Sequence, residues 1–134
     1  MKVFLDADVV FSAVYSSKGA SRALFEQKGI KPFSSEICLQ EAGKALKRYG
    51  KELNSQLAGR LDLVKISTDE EKECMVYVKD VYDAHVVAAA KKMGAKLLTT
   101  FNLRHYMIRK IENELNIEVM RPEEVLFFAR EVLN

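Results

Sequence analysis

No stretch of this 134-residue chain approaches the roughly 20 consecutive apolar residues that cross a bilayer. Its first residues also lack the charged-then-apolar layout of a secretory leader. A cytoplasmic protein with no membrane partner is therefore expected. Cysteine is scarce: the chain has only two, Cys38 and Cys74, each in an apolar-patterned segment with no Cys or His at ligand spacing. Reduced, packed thiols are expected rather than a disulfide scaffold or a zinc site. Proline occurs only at Pro32 and Pro122, and there is no repeat, low-complexity tract or linker-like segment. One compact domain over residues 1–134 is expected.

The composition, 49% hydrophobic and 30% charged, is that of a globular protein rather than a disordered chain. A chain of this length buries about two-thirds of its unfolded surface, so its core needs no staples. The net charge is +2, unevenly spread. Residues 1–67 hold 11 basic and 7 acidic groups, against 10 and 12 in residues 68–134. If Asp6, Glu41, Asp80 and Asp83 share one acidic site, the rest of the molecule carries +6. Such a distribution attracts a polyanion around an acidic hole. Lys44, Lys47, Arg48 and Lys51, then Arg104, Arg109 and Lys110, are the cations placed to contribute, although each cluster alone also fits a solvated helix face.

Strand-like runs are short: Val3–Leu5, Ile30–Phe33, a weaker Leu63–Ile66, Lys96–Thr99 and Ile117–Met120. Helical patterns separate them at Ser21–Gln27, Ser35–Arg48, Leu53–Leu61, Asp69–Val78, Asp83–Met93, Arg104–Leu115 and Pro122–Leu133. Ser35 can cap its helix, Gly94 follows one as a stop, and Pro122 suits a first helical position. Alternation of this kind predicts an α/β fold of three layers, α/β/α, around a central, mainly parallel sheet of four to five strands.

That architecture gathers acids before any family is invoked. In a right-handed βαβ unit, strand ends and helix beginnings meet at one rim, where open α/β sheets bind ligands. Asp6 ends the first apolar strand, Asp83 begins a helix, Thr100 and Asn102 follow another strand, and Glu41 lies early in the helix after Ile30–Phe33. A carboxylate at a buried strand tip is costly unless a cation or hydrogen bonds compensate. Clustered carboxylates raise one another's pKa, and a divalent ion with hard-oxygen preference, Mg²⁺ or Mn²⁺, relieves that conflict. Each residue taken singly has a structural reading too: Asp6 as a cap, Glu41 as a surface residue, Asp83 as a charge favouring the helix dipole. Their shared rim favours the joint reading. His85 and His105 are expected to be structural or solvated, and Tyr77, Tyr82 and Tyr106 to pack rather than stack on bases.

The segments Val3-Phe4-Leu5-Asp6-Ala7-Asp8-Val9-Val10, Ser34-Ser35-Glu36-Ile37-Cys38-Leu39-Gln40-Glu41, Asp80-Val81-Tyr82-Asp83-Ala84-His85-Val86-Val87 and Leu97-Leu98-Thr99-Thr100-Phe101-Asn102 resemble, in order, the successive motifs of a PIN domain. Ile117 to Leu126 resembles that family's last strand and helix. The resemblance implies an Mg²⁺- or Mn²⁺-dependent ribonuclease of the VapC toxin type, with an RNA substrate, a cognate antitoxin and a homodimer among its partners. It implies catalytic and metal-holding roles for Asp6, Glu41 and Asp83, with Thr100 ordering the site. The pattern departs at the fourth acid, where Asn102 stands; Asp8 or Asp80 can supply the missing charge, and Asp80 can equally cap its helix. A degenerate PIN domain that binds RNA or protein without cutting is the alternative.

Asp6-Ala7-Asp8-Val9-Val10 also resembles the first motif of haloacid-dehalogenase-like phosphatases, where the first Asp is a nucleophile. Motif order argues against that family, because Asp80 and Asp83 precede Thr99 and Thr100 here. Under the nuclease reading, Asp6→Asn should abolish metal-dependent RNA cleavage and leave the fold intact. Cleavage assays beside circular dichroism check this, and an active variant would contradict it.

Overall fold

The computed structural model describes residues 1–133. Its centre is a five-stranded, all-parallel sheet formed by β1 (Lys2–Leu5), β2 (Lys31–Ser35), β3 (Asp62–Val64), β4 (Leu97–Thr99) and β5 (Glu118–Met120), in the order β3-β2-β1-β4-β5. The chain steps outward one way from β1 through β2 to β3, then returns to the other side of β1 at β4. The order therefore reverses between β1 and β4, which is where an open sheet leaves a crevice at its carboxyl edge.

Helices cover both faces: α1 (Ala7–Tyr15), α2 (Ala20–Glu26), α3 (Glu36–Lys47), α4 (Ser55–Ala58), α5 (Thr68–Glu73), α6 (Ala84–Lys92), α7 (Ile108–Leu115) and α8 (Pro122–Leu133). The period-2 geometry of the strands divides the core. Phe4 and Leu98 point into one apolar layer with Val86, Val87, Ile111 and Val119. Val3, Leu5 and Leu97 point into the other with Val9, Val10, Leu24 and Val125. The central strands are buried on both sides, which is why β1 is apolar at three successive positions, Val3, Phe4 and Leu5.

The five expected strands and the three-layer arrangement are present. Helix α1 is an element the sequence pattern did not suggest. Val9, Val10, Phe11, Val14 and Tyr15 are β-branched or aromatic, with restricted side-chain rotamers in a helix. Tertiary packing overrides that preference. Asp6 caps α1, accepting from the Ala7 N–H at 2.7 Å, and Val9, Val10 and Ala13 are buried as α1 packs on α2 and α3.

Three expected helices are shorter than the pattern implied, and the one expected over Arg104–Leu115 begins only at Ile108, behind a 3₁₀ turn at Leu103–His105. The Leu53–Leu61 region keeps only α4, capped by Asn54. The Asp69–Val78 region starts one residue earlier, under a capping box between Ser67 and Glu70, and α5 ends at Glu73. Beyond it Val78 bridges Tyr106 in antiparallel fashion. The Lys79 N–H donates to the His105 carbonyl and the Met107 N–H to the Tyr77 carbonyl, both at 2.9 Å. Those long-range bonds pull the chain out of the helix, and they tie the segment before Asp83 to the segment after Asn102. Gly94, at φ +71°, turns the chain after α6 into a backbone region that glycine adopts without steric cost.

Among the described residues no helix is long and apolar enough to cross a membrane. Helix α8 buries Val125, Leu126 and Ala129 and leaves Phe127 and Val132 exposed. Leu97, fully buried at the sheet centre, sets the scale of the core: Leu97→Ala should cost about 2–5 kcal/mol of unfolding free energy. Phe127→Ser on the exposed face should change stability by less than about 0.5 kcal/mol in the isolated chain. Urea denaturation midpoints of the two variants check the contrast.

Candidate metal centre

The crevice at the β1/β4 reversal is a cleft of about 410 Å³ lined by Asp6, Asp8, Glu41, Asp83, Asn102 and His105, with Phe11, Arg48 and Tyr49 at its margin. A larger groove of about 710 Å³ lies on the flank of α3 between Leu39, Leu53 and Leu63. Its lining is mainly apolar, and the four carboxylates all face the smaller cleft.

Each acid arrives on a different local device. Asp6 is the residue at which β1 becomes α1, and its backbone N–H still donates to the Thr99 carbonyl at 3.1 Å. Its side chain is nearly buried, at 9% exposure, and is compensated by directed donors. Oδ1 accepts from Ala7, while Oδ2 accepts from the Thr100 hydroxyl at 2.9 Å and the Tyr106 hydroxyl at 2.7 Å. Burial, and then the negative charge of Asp6, push the Tyr106 hydroxyl far above its ordinary pKa. It therefore stays a proton donor to Asp6 throughout the neutral range.

Asp8, two residues into the same turn, is less well compensated. Its Oδ2 accepts from the Phe101 N–H at 3.0 Å and from the Asn102 side-chain amide at 3.1 Å, with the Thr100 hydroxyl 3.3 Å away. Its Oδ1 is buried and has no hydrogen-bond partner. Burial, followed by the charge of Asp6, raises the Asp8 pKa to about 7.

Asp83 sits at the end of a short 3₁₀ turn, Val81–Asp83, immediately before α6. Its pKa is raised, mainly by burial; nearby His105 opposes the rise, and Asp6 and Asp80 add to it. The His105 ring lies 3.2 Å from its carboxylate. Glu41 projects from the middle of α3 and is held from two sides. The Tyr82 hydroxyl donates to one oxygen at 3.2 Å, and the His85 Nε2 lies 3.2 Å from the other.

The residues singled out from the sequence therefore divide. Asp6, Asp8, Glu41, Asp83 and Asn102 line one cleft, and Thr100 lies beneath it on Asp6. Asp80 is exposed and outside the lining; it accepts from the Tyr82 N–H at 3.0 Å and caps the turn that carries Asp83. Of the two acids considered for the charge missing at Asn102, Asp8 is the one in contact with Asn102. Tyr106 was expected only to pack, yet it bonds Asp6 directly. Its position three residues after Leu103 signalled nothing, because the contact depends on the Val78–Tyr106 bridge.

Cys38, Glu41 and His85 can bring one ligand atom each to within 4.8 Å of one another. No sequence spacing suggested this, since the cysteine comes from the start of α3 and the histidine from α6. The Cys38 thiol is fully buried, and burial, then the charge of Asp6, drive its pKa far up. It is accordingly a neutral thiol beside the oxygen-lined cleft. The oxygen donors suit a hard divalent cation: the unpartnered Asp8 Oδ1 and the raised acids Asp8 and Asp83 are the groups whose desolvation a positive ion offsets.

A PIN domain family model matches residues 2–104, the span that carries Asp6, Glu41, Asp83 and Thr100. The chain belongs to the PIN domain family. No curated protein matches the sequence. Among solved structures, the crystal structure of VapC20 from Mycobacterium tuberculosis, described as a sarcin-ricin-loop-cleaving toxin, is similar. It has 16% sequence identity and a TM-score of 0.49, over 72% of this chain and 86% of that one. Membership of the PIN family also sets aside the phosphatase reading of Asp6 and Asp8.

For this PIN domain free of divalent ions, the sign of its pH dependence follows from Asp8. The carboxyl ionises near 3.8 in the unfolded chain and at about 7 in the fold. Between those values the unfolded state has released a proton that the folded state keeps, so stability falls as pH rises from about 4 to about 7. Asp8→Asn should flatten that slope. Denaturant midpoints in chelator at about pH 5 and about pH 8 check the sign.

Proposed function

We propose that this PIN domain is a metal-dependent endoribonuclease that hydrolyses RNA phosphodiester bonds, acting in the cytoplasm as the toxin of a toxin–antitoxin pair. The observation that carries the reading is the convergence of Asp6, Asp8, Glu41 and Asp83 on one cleft at the sheet's switch point. Family membership supports the reaction class, and a +2 chain whose four cleft carboxylates leave +6 on the rest of the molecule suits a polyanionic substrate.

In this reading Asp6, Glu41 and Asp83 hold Mg²⁺ or Mn²⁺, with Asp8 supplying the carboxylate that Asn102 lacks. The ion, when bound, supplies an activated water and charge stabilisation at phosphorus. The protein's own part is to hold the oxygen donors in place. Thr100 and Tyr106 fix one oxygen of Asp6, and Tyr82 and His85 fix the two oxygens of Glu41. Asn102 orients Asp8 through its side-chain amide, so its substitution for an acid leaves the cleft with four carboxylates. A homodimer or antitoxin contact has an available apolar surface in Phe127 and Val132 of α8.

Incubation of the purified protein with structured RNAs and Mg²⁺ or Mn²⁺, beside Asp83→Asn, tests the proposal. Cleavage should require the ion and fall by at least about a hundredfold in the variant, as expected for loss of a group that stabilises the transition state. RNA binding without ion-dependent, Asp83-sensitive cleavage would identify a catalytically degenerate PIN domain instead.

A further inference from the structure

The cleft continues past its carboxylates onto an aromatic cluster. Phe11 and Tyr49 line the same cleft as Asp6, Asp8, Glu41 and Asp83. Phe11 stacks on Tyr15 with ring centroids 5.4 Å apart and planes 18° apart. Tyr49 meets Phe11 at 5.7 Å and Tyr15 edge-on at 5.5 Å. The rings are far from fully used by this mutual packing, since Tyr15 is 46% and Tyr49 62% exposed. Three aromatic rings in one patch is more apolar surface than isolated exposed residues explain.

Of the tyrosines first considered for base stacking, Tyr106 is buried against Asp6 and Tyr77 donates to Glu114, while Tyr82 is exposed and its hydroxyl donates to Glu41. The surroundings of the Phe11–Tyr15–Tyr49 cluster are cationic. Lys51 lies over the Tyr15 ring at 4.9 Å and Arg48 lines the cleft beside Tyr49, whereas Lys44 and Lys47 line the separate groove on the flank of α3. Exposed rings interleaved with cations are the chemistry of single-stranded nucleic-acid binding, in which rings stack on bases and cations follow the phosphates. An unpaired base, rather than duplex, is the form of RNA that presents its face to such a patch.

We infer that Tyr49 and Tyr15, backed by Phe11, form a stacking platform for an unpaired nucleobase of the RNA whose backbone enters the carboxylate cleft. The substrate class rests on the nuclease reading above; the platform itself rests on the ring geometry, the exposure and the flanking cations. Stacking of this kind accepts any base face, so the platform positions the strand over the carboxylates rather than reading its sequence.

The test measures binding by fluorescence anisotropy in the Asp83→Asn background, using a single-stranded RNA oligonucleotide and copies carrying one abasic site at successive positions. Tyr49→Ala and Tyr15→Ala should each weaken binding of intact RNA by about 5- to 150-fold, the range of one base–aromatic stack. Tyr49→Phe should bind as the parent does. At one position, abasic substitution should weaken binding to the parent but not to Tyr49→Ala. Cleavage with Mn²⁺ is measured in parallel on the chain with Asp83 intact. If RNA binds equally to parent and ring-deleted variants, the platform is wrong, whether or not cleavage occurs. Ring-dependent binding without cleavage would uphold the platform and overturn the nuclease reading. No RNA binding by the parent would overturn the platform, and cleavage on the intact chain would then show that the nuclease reading survives it. Because Tyr49 is exposed, melting curves of the Tyr49 variants should match the parent, and Tyr49→Phe separates loss of the ring from loss of its hydroxyl.

Discussion

The pairing of β1 with β4 is the constraint on which the site depends. These two strands stand next to each other because the chain reverses its direction of travel across the sheet, and the register sets Leu5 opposite Thr99. One residue further on, Asp6 and Thr100 are therefore side by side, and the threonine hydroxyl donates to the carboxylate at 2.9 Å. A slip in register would separate them and turn the alternating apolar residues to the wrong layers. The packing that buries Phe4 with Leu98, and Leu5 with Leu97, thus holds the chemistry in place.

Around that pair the protein handles buried charge unevenly. Asp6 is satisfied by a backbone N–H and two hydroxyls, whereas Asp8 keeps one buried oxygen without a partner. Asp83 is strained by burial and by its acidic neighbours, against the opposing influence of His105. An entirely satisfied cluster would gain little from a cation, and an entirely unsatisfied one would not fold. The division leaves a fold that is stable as a frame and a cleft in which positive charge is favourable, whether it comes from an ion or from the residues that follow an incoming phosphate.

Much of the frame was legible in the order of the residues. Three successive apolar positions at Val3 to Leu5 mark a strand covered on both faces, and the spacing of the later runs marks parallel strands with helical crossovers. The rim acids followed from the same topology. Helix α1 was not legible, because Val9, Val10 and Phe11 look like strand formers until α2 and α3 are packed against them. The long helix expected through Val78 was not found either, since nothing local signals the antiparallel bridge to Tyr106.

The sequence by itself determined the class of fold and the identity of the acids that a strand end or a helix start delivers to one edge. Those features depend on short-range periodicity and on the handedness of crossovers, which are written along the chain. Only the tertiary structure decided which groups answer those acids. Tyr106 on Asp6, Asn102 on Asp8, His85 on Glu41 and the aromatic cluster at the mouth of the cleft join residues from 34 to 100 positions apart in the chain. Such contacts arise from long-range packing, and no local pattern of residue types encodes them.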